Sequence, residues 1–227
     1  FTTNFDALHG LNQLPGLACQ RLMNEGYGFG GEGDWKTAAL LRTMWFMAQG
    51  LEGGSSFMED YTYHFDGENS AILQSHMLEI SPAITKNKPR LEVHPLGIGG
   101  KADPARLVFT AHEGKGLAAT IVDMGNRFRM IVNHVDVIKP QDLPKLPVAS
   151  TLWIPQPNLE IGAAAWILAG GTHHSSFTYA LTQEYMDDYA DIAGIEIITI
   201  DNDTTINNFK KELQYNEVFY LLNKALT

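Results

Sequence analysis

Leu117-Ala118-Ala119-Thr120-Ile121-Val122-Asp123, Met124-Gly125-Asn126-Arg127 and Phe128-Arg129-Met130-Ile131-Val132-Asn133-His134-Val135-Asp136-Val137-Ile138 follow one another without a break. The first and third segments are rich in β-branched and apolar residues, and the four between them contain Gly and Asn, which tolerate the left-handed conformation a tight hairpin turn demands. This stretch reads as a β-hairpin. Around it lie further short runs of the same kind, Ala71–Ile80, Arg90–Leu96, Ala105–Ala111 and Val148–Ile154, punctuated by Gly and Pro. Strands at this spacing predict an antiparallel sheet or barrel.

Helical patterns flank the strands on both sides. Residues 13–25 and 34–49 read as helices, with Asn12 and Asp34 as N-caps and Gly26 and Gly50 just past the ends. Beyond the strands come helix 160–168, helix 182–193 closed by Gly194, the strand Ile195–Ile200 and a final helix near 205–224. The chain thus runs from helices through a β-rich middle to a last stretch that returns to alternation, and the expected class is α+β, mixed α/β. No internal repeat or Ser/Gly linker divides the pieces.

The chain has 227 residues, enough to bury a sizeable core. Its 26 acidic and 16 basic residues give a net charge of −10, which repels phosphate backbones and argues against a nucleic-acid partner. Cys19 is the only cysteine, so an intrachain disulfide and a thiolate metal cage are excluded; a reducing, cytoplasmic setting is the expectation. The longest apolar stretch, near Ala38 to Ala48, is interrupted by Arg42 and is too short to cross a bilayer. The opening Phe1-Thr2-Thr3-Asn4-Phe5 carries no methionine, signal peptide or capping pattern, and reads as the middle of a protein.

Four positions suggest chemistry. Glu32 sits in Gly26-Tyr27-Gly28-Phe29-Gly30-Gly31-Glu32-Gly33, where five glycines in eight residues let the backbone approach a ligand closely, although a lone loop glutamate is usually just solvated. Glu59 and Asp60 lie in the aromatic segment Met58-Glu59-Asp60-Tyr61-Thr62-Tyr63-His64-Phe65, whose neighbours desolvate a carboxylate and suit it to acid–base work; the plainer reading is a surface loop with inward aromatics. His76 falls in an apolar alternation, where a single histidine is more often a satisfied core residue than a ligand. His173-His174 follows Gly170-Gly171, and because neighbouring side chains diverge, one of the pair is the candidate ligand and the other a packing residue.

Together these are two carboxylates and two imidazoles, the donors of a hard-to-borderline divalent cation such as Mn²⁺ or Co²⁺ rather than an all-oxygen Ca²⁺ site. On composition alone a metal-dependent hydrolase or lyase fits the same donors. Gly97-Ile98-Gly99-Gly100-Lys101 lacks the spacing and Ser/Thr of a phosphate loop and reads as a tight turn. No Gly-x-Ser-x-Gly nucleophile elbow and no His-Glu-x-x-His occurs.

Several runs carry a resemblance. Gln13-Leu14-Pro15-Gly16-Leu17-Ala18, Gly31-Glu32-Gly33-Asp34-Trp35-Lys36-Thr37-Ala38, Phe57-Met58-Glu59-Asp60-Tyr61-Thr62-Tyr63-His64-Phe65, Gly97–Lys101, Asp103-Pro104-Ala105-Arg106-Leu107, Trp166-Ile167-Leu168-Ala169-Gly170-Gly171, His173-His174 and Ile200-Asp201-Asn202-Asp203-Thr204 resemble the L-arabinose isomerases, in order and over essentially the whole chain. The resemblance implies interconversion of L-arabinose and L-ribulose, and of D-galactose and D-tagatose, through an enediol. It implies one Mn²⁺ per subunit, with Co²⁺ able to substitute, held by Glu32, Glu59, His76 and, of the pair, His174, with Glu32 and Glu59 as the acid–base residues. Phe5 and Ile98 would line the sugar pocket.

It further implies that residues 1–52 are the C-terminal part of a central α/β domain and 53–227 an antiparallel β-barrel-like domain with helices. Family chains are about twice as long and assemble as homohexamers in which a neighbour's N-terminal domain completes each site. The alternative is a non-catalytic fragment that carries the metal site without a complete sugar pocket.

Overall fold

A computed structural model describes residues 1–140 and 143–226. In chain order its elements are α1 (Gly16–Asn24), α2 (Trp35–Met47), β1 (Ser55–His64), β2 (Ala71–Ser75), β3 (Arg90–Val93), β4 (Ala105–Val108), β5 (Gly114–Asp123), β6 (Phe128–Ile138), β7 (Ser150–Pro155), α3 (Leu159–Ala169), β8 (His174–Thr178), α4 (Gln183–Ala193), β9 (Glu196–Ile200) and α5 (Ile206–Leu226). The class is α+β.

The β5–β6 hairpin is the spine of the sheet. Its ladder runs from Gly114 opposite Val137 to Asp123 opposite Phe128, and Gly125 takes φ 83° in the turn, where Met124 N donates to Arg127 O. The strands run in the order β5-β8-β1-β2-β7-β6-β9, and the β5–β6 pairing returns to the start. Six strands therefore close into an antiparallel ring, with β9 added in parallel along the outer half of β6. Closure removes most of the exposed edges an open sheet would present. A separate two-stranded sheet, β3 with β4, stands apart from the ring.

Apolar side chains fill the ring and its flanks. Met58, Ile72, Ala118, Val135, Trp153 and Phe177 form one cluster. Leu40 and Met44 of α2 and Met186 of α4 join Leu117, Ala119, Met130 and Val132 in a second. A third joins Phe209 of α5 and Trp166 of α3 to Ile131, Ile198 and Ile200. Buried Arg127 and Arg129 meet Glu196 at 2.5 Å and 3.0 Å, tying the hairpin to β9, and Arg127 also reaches Glu217 on α5 at 2.8 Å. No described helix is long and apolar enough to cross a membrane.

Most expected strands appear but are shorter. Ala71–Ile80 ends at Ser75, Arg90–Leu96 at Val93 and Ala105–Ala111 at Val108, while the first hairpin strand starts three residues earlier, at Gly114. Two strands were not anticipated, β1 and β8. The segment read as an aromatic surface loop is a ten-residue strand, buried at its start and emerging toward its end. Asn12 does not cap a helix: α1 begins at Gly16, after Pro15, whose ring fixes φ near the helical value. Asp34 does cap α2, accepting from Thr37 N at 3.0 Å.

Candidate metal centre

The ring brings three sequence-distant segments to one place. On β1, Glu59 pairs with Ser75 of β2 on one side and with His174 of β8 on the other. His76 immediately follows Ser75, so its imidazole and that of His174 flank the Glu59 carboxylate from two neighbouring strands. Glu59 Oε2 lies 3.9 Å from His76 Nε2, and the two imidazole centroids are 5.9 Å apart. Beneath them Phe57, fully buried, packs edge-on against both rings at 5.1 and 4.9 Å.

Glu32 reaches the cluster from a one-turn 3₁₀ segment, Gly31–Gly33, between α1 and α2. Among the described residues it is the only non-glycine with positive φ, at φ 57° and ψ 32°. A side chain in this left-handed region costs on the order of 1–3 kcal/mol, so neighbouring bonds must enforce it. Gly33 N donates to Thr3 O at 3.2 Å and to Thr2 Oγ1 at 2.8 Å, and Asp34 N donates to Gly31 O at 2.9 Å. Gly31 itself faces His76: a Cβ there would lie 3.1 Å from Nε2.

Each histidine is oriented by a carboxylate on its other nitrogen. His76 Nδ1 donates to Glu79 Oε2 at 2.5 Å, and His174 Nδ1 donates to Asp34 Oδ2 at 3.2 Å. Both Nε2 atoms are buried and lack a hydrogen-bond partner. A buried polar atom without a partner is costly, and here His76 Nε2 lies 3.9 Å from Glu59 Oε2, while a ring nitrogen of His174 lies within 4.8 Å of a Glu32 carboxylate oxygen. Carboxylate-to-Nδ1 bonds that leave Nε2 free are how ligating histidines are commonly held. These donors therefore fit a divalent cation.

Burial disfavours a charged His76, yet Glu79, then Glu59 and Glu32, outweigh it and hold its pKa above the ordinary value. Asp34 is also partly buried, which would raise its pKa, but the His174 and Thr37 hydrogen bonds prevail and bring it down to about 2. It is an ionised acceptor at neutral pH.

His173 is closer to the centre than a packing role requires. Its side chain is 61% exposed, Nε2 lies 4.0 Å from Glu59 Oε1, and donor atoms of Glu32, His173 and His174 all fall within 4.8 Å of one another. Asp60, adjacent to Glu59, turns the other way: Gln74 Nε2 donates to it at 2.5 Å, the Tyr63 hydroxyl donates as well, and burial raises its pKa. Phe5 is half-buried in the 3₁₀ turn Phe5–Ala7, two residues beyond the Thr3 carbonyl that braces the Glu32 loop. Ile98, 40% exposed, lies in the Gly97–Lys101 turn.

Sequence reading missed Asp34 and Glu79 as supports of the imidazoles. Asp34 was assigned only its capping role, and it performs both. Glu79 follows His76 by three residues, a separation that a single turn can close, and that spacing was the available signal.

The fold and site define an α+β protein whose closed antiparallel sheet carries a carboxylate–imidazole cluster at its rim. Residues 54–196 match the family model described as L-arabinose isomerase C-terminal domain, and residues 1–50 match that described as L-arabinose isomerase central domain. The chain belongs to the L-arabinose isomerase family. It is 68% identical over 232 residues to the L-arabinose isomerase of Bacteroides thetaiotaomicron, all of this chain against 46% of that protein, and equally identical to that of Phocaeicola vulgatus over the same shares. The Geobacillus kaustophilus L-arabinose isomerase is 60% identical over 221 residues, 97% of this chain and 44% of that protein. The chain thus spans about half the length of the curated relatives it matches.

Proposed function

We propose that this chain carries the metal-binding, proton-transferring half of an aldose–ketose isomerase acting on L-arabinose and L-ribulose, and on D-galactose and D-tagatose. The observation that carries the proposal is the pair of buried, partnerless Nε2 atoms of His76 and His174 in a cluster where His76 lies beside Glu59 and His174 beside Glu32. Those four residues would hold one Mn²⁺, or Co²⁺ in its place. When bound, such a cation supplies Lewis-acid stabilisation of charge that builds on the sugar's carbonyl oxygen.

The chain's own residues account for the proton work. Aldose–ketose exchange through an enediol needs a base that takes the proton from C2 and returns it to C1, and a second group that moves the hydroxyl proton. Glu59, half-buried on a central strand, is fixed in place by its two neighbouring strands. Glu32 is more exposed and sits on a loop. One carboxylate can thus stay fixed while the other reorients, which separates holding a ligand from shuttling a proton. Glu79 and Asp34 keep the imidazoles aimed.

The relatives' length favours a further element of the reading. A neighbouring subunit's N-terminal domain would complete the sugar site in a cytoplasmic homohexamer, and the chain alone would bind metal better than it turns over sugar.

The test is L-ribulose formation from L-arabinose with Mn²⁺ present or chelated, for the chain alone and for the longer protein, and then with Glu32→Gln or Glu59→Gln. Loss on chelation and with either substitution is expected. Activity that survives all three sinks the assignment.

A further inference from the structure

The Gly97–Lys101 motif, set aside above as a turn, has a specific mechanical connection. Gly99 and Gly100 take φ 74° and 60°, two successive left-handed residues that only glycine adopts readily, and they fold the chain back so that Lys101 points across to the segment after Phe5. There its ammonium donates to Leu8 O at 2.8 Å and Leu11 O at 2.7 Å. Leu8 closes the 3₁₀ turn Phe5–Ala7, so the positive charge sits at the carbonyl end of that turn, where a cation is favoured. The two segments are joined further by Ala102 N to Asn12 O at 3.0 Å and by Gln13 Nε2 to Asp103 O at 2.8 Å.

One continuous path of bonds results. It runs from the Glu32 loop through Gly33 to Thr2 and Thr3, along the turn containing Phe5, and across Lys101 to the loop containing Ile98. We infer that Lys101 is a positioning residue that sets the separation of Phe5 and Ile98, and thereby the width of the sugar pocket, without touching metal or sugar. This inference rests on the isomerase reading, which places Phe5 and Ile98 at the sugar. A single lysine that grips two backbone carbonyls fixes the Ile98 loop against the Phe5 turn, whereas Glu59, His76 and His174 are positioned by the sheet register and Glu32 is braced separately at Thr2 and Thr3, before the Phe5 turn. Loosening Lys101 should therefore alter sugar recognition and leave metal affinity alone.

The experiment measures KM and kcat for L-arabinose and D-galactose, together with Mn²⁺ affinity, in the form of the protein that turns over L-arabinose. Lys101→Met keeps the stem and removes the donors. It is expected to raise KM for L-arabinose by about tenfold, the scale of losing charge-assisted hydrogen bonds, with kcat and Mn²⁺ affinity within about twofold and the ratio of KM values between the two sugars changed. Lys101→Arg restores most of the loss. In an Ile98→Ala background, Lys101→Met should add little, because the latch acts through Ile98. Unchanged KM, loss of Mn²⁺ affinity in parallel with KM, or full additivity with Ile98→Ala each overturns the inference while leaving the isomerase assignment standing. Should Lys101→Met fail to fold, Lys101→Arg and the Ile98→Ala cycle built on it decide the same question. A wild-type protein with no L-arabinose turnover overturns the isomerase assignment instead.

Discussion

Glu59 and His174 are direct cross-strand partners on β1 and β8, so a carboxylate and an imidazole separated by more than a hundred residues are fixed by backbone register. On the opposite edge of β1, Glu59 pairs with Ser75, which delivers His76. A register slip of one residue on β8 would turn His174 to the other face, so the centre depends on closure of the ring as a whole.

Asp34 supports His174 and caps α2 with the same carboxylate. Asp34→Asn keeps a capping oxygen but weakens the charge-assisted bond to Nδ1, while Asp34→Ala loses both. Both should lower Mn²⁺ affinity by roughly 10- to 100-fold, and only the alanine should also cost about 1 kcal/mol of stability. Calorimetric Mn²⁺ titration alongside chemical denaturation separates the two effects.

The histidine pair divides unequally. His174 is buried, has its Nδ1 anchored and leaves Nε2 free, whereas His173 is exposed. His174→Ala should weaken Mn²⁺ binding more than His173→Ala does, and the opposite order in a titration would assign the ligand to His173.

Gly31→Ala places a methyl group 3.1 Å from His76 Nε2, tight enough that the imidazole or the loop must shift by a few tenths of an ångström. The substitution should cost little stability and weaken Mn²⁺ binding several-fold. Equal metal affinity in mutant and wild type would show that His76 Nε2 is not at the metal.

The strained backbone of Glu32 predicts a trade. Glu32→Gly relieves the left-handed φ of 57°, so it should be more stable than Glu32→Ala by about 1 kcal/mol, and neither should bind Mn²⁺ tightly. Equal denaturation midpoints would mean the conformation is not strained.

Cys19 is 2% exposed, and burial first, then the Glu79 charge, push its thiol up to about 12. The native thiol is neutral, while in the unfolded chain it ionises near 9. Its contribution to stability is therefore whole below pH 9 and is lost as pH rises toward 12. At pH 8 a thiol reagent should label the unfolded chain roughly a thousandfold faster than the native one.

What the sequence disclosed follows from the kind of signal each element carries. The β5–β6 hairpin was evident because a long β-branched run, a Gly-containing turn and a second run act locally. Gly194 marked the end of α4 because it takes the left-handed C-cap, at φ 63°. β1 and β8 went unread because their polar, aromatic and serine-rich segments resemble loops, and they are strands through pairing with each other and with β5 and β2. The four proposed donor positions were singled out from composition, glycine context and resemblance, and the fold brings them to one rim of the sheet. The supports Asp34 and Glu79, and the grip of Lys101 on Leu8 and Leu11, depend on tertiary placement that no local pattern records.

The central claim is that Glu32, Glu59, His76 and His174 share one cation. An anomalous-difference map from crystals grown with Mn²⁺ tests it most directly. The account predicts a single peak at coordination distance from Nε2 of His76, Nε2 of His174 and the carboxylates of Glu32 and Glu59. A peak held by Glu32, His173 and His174 with His76 left out, or no peak at this rim of the sheet, would contradict it.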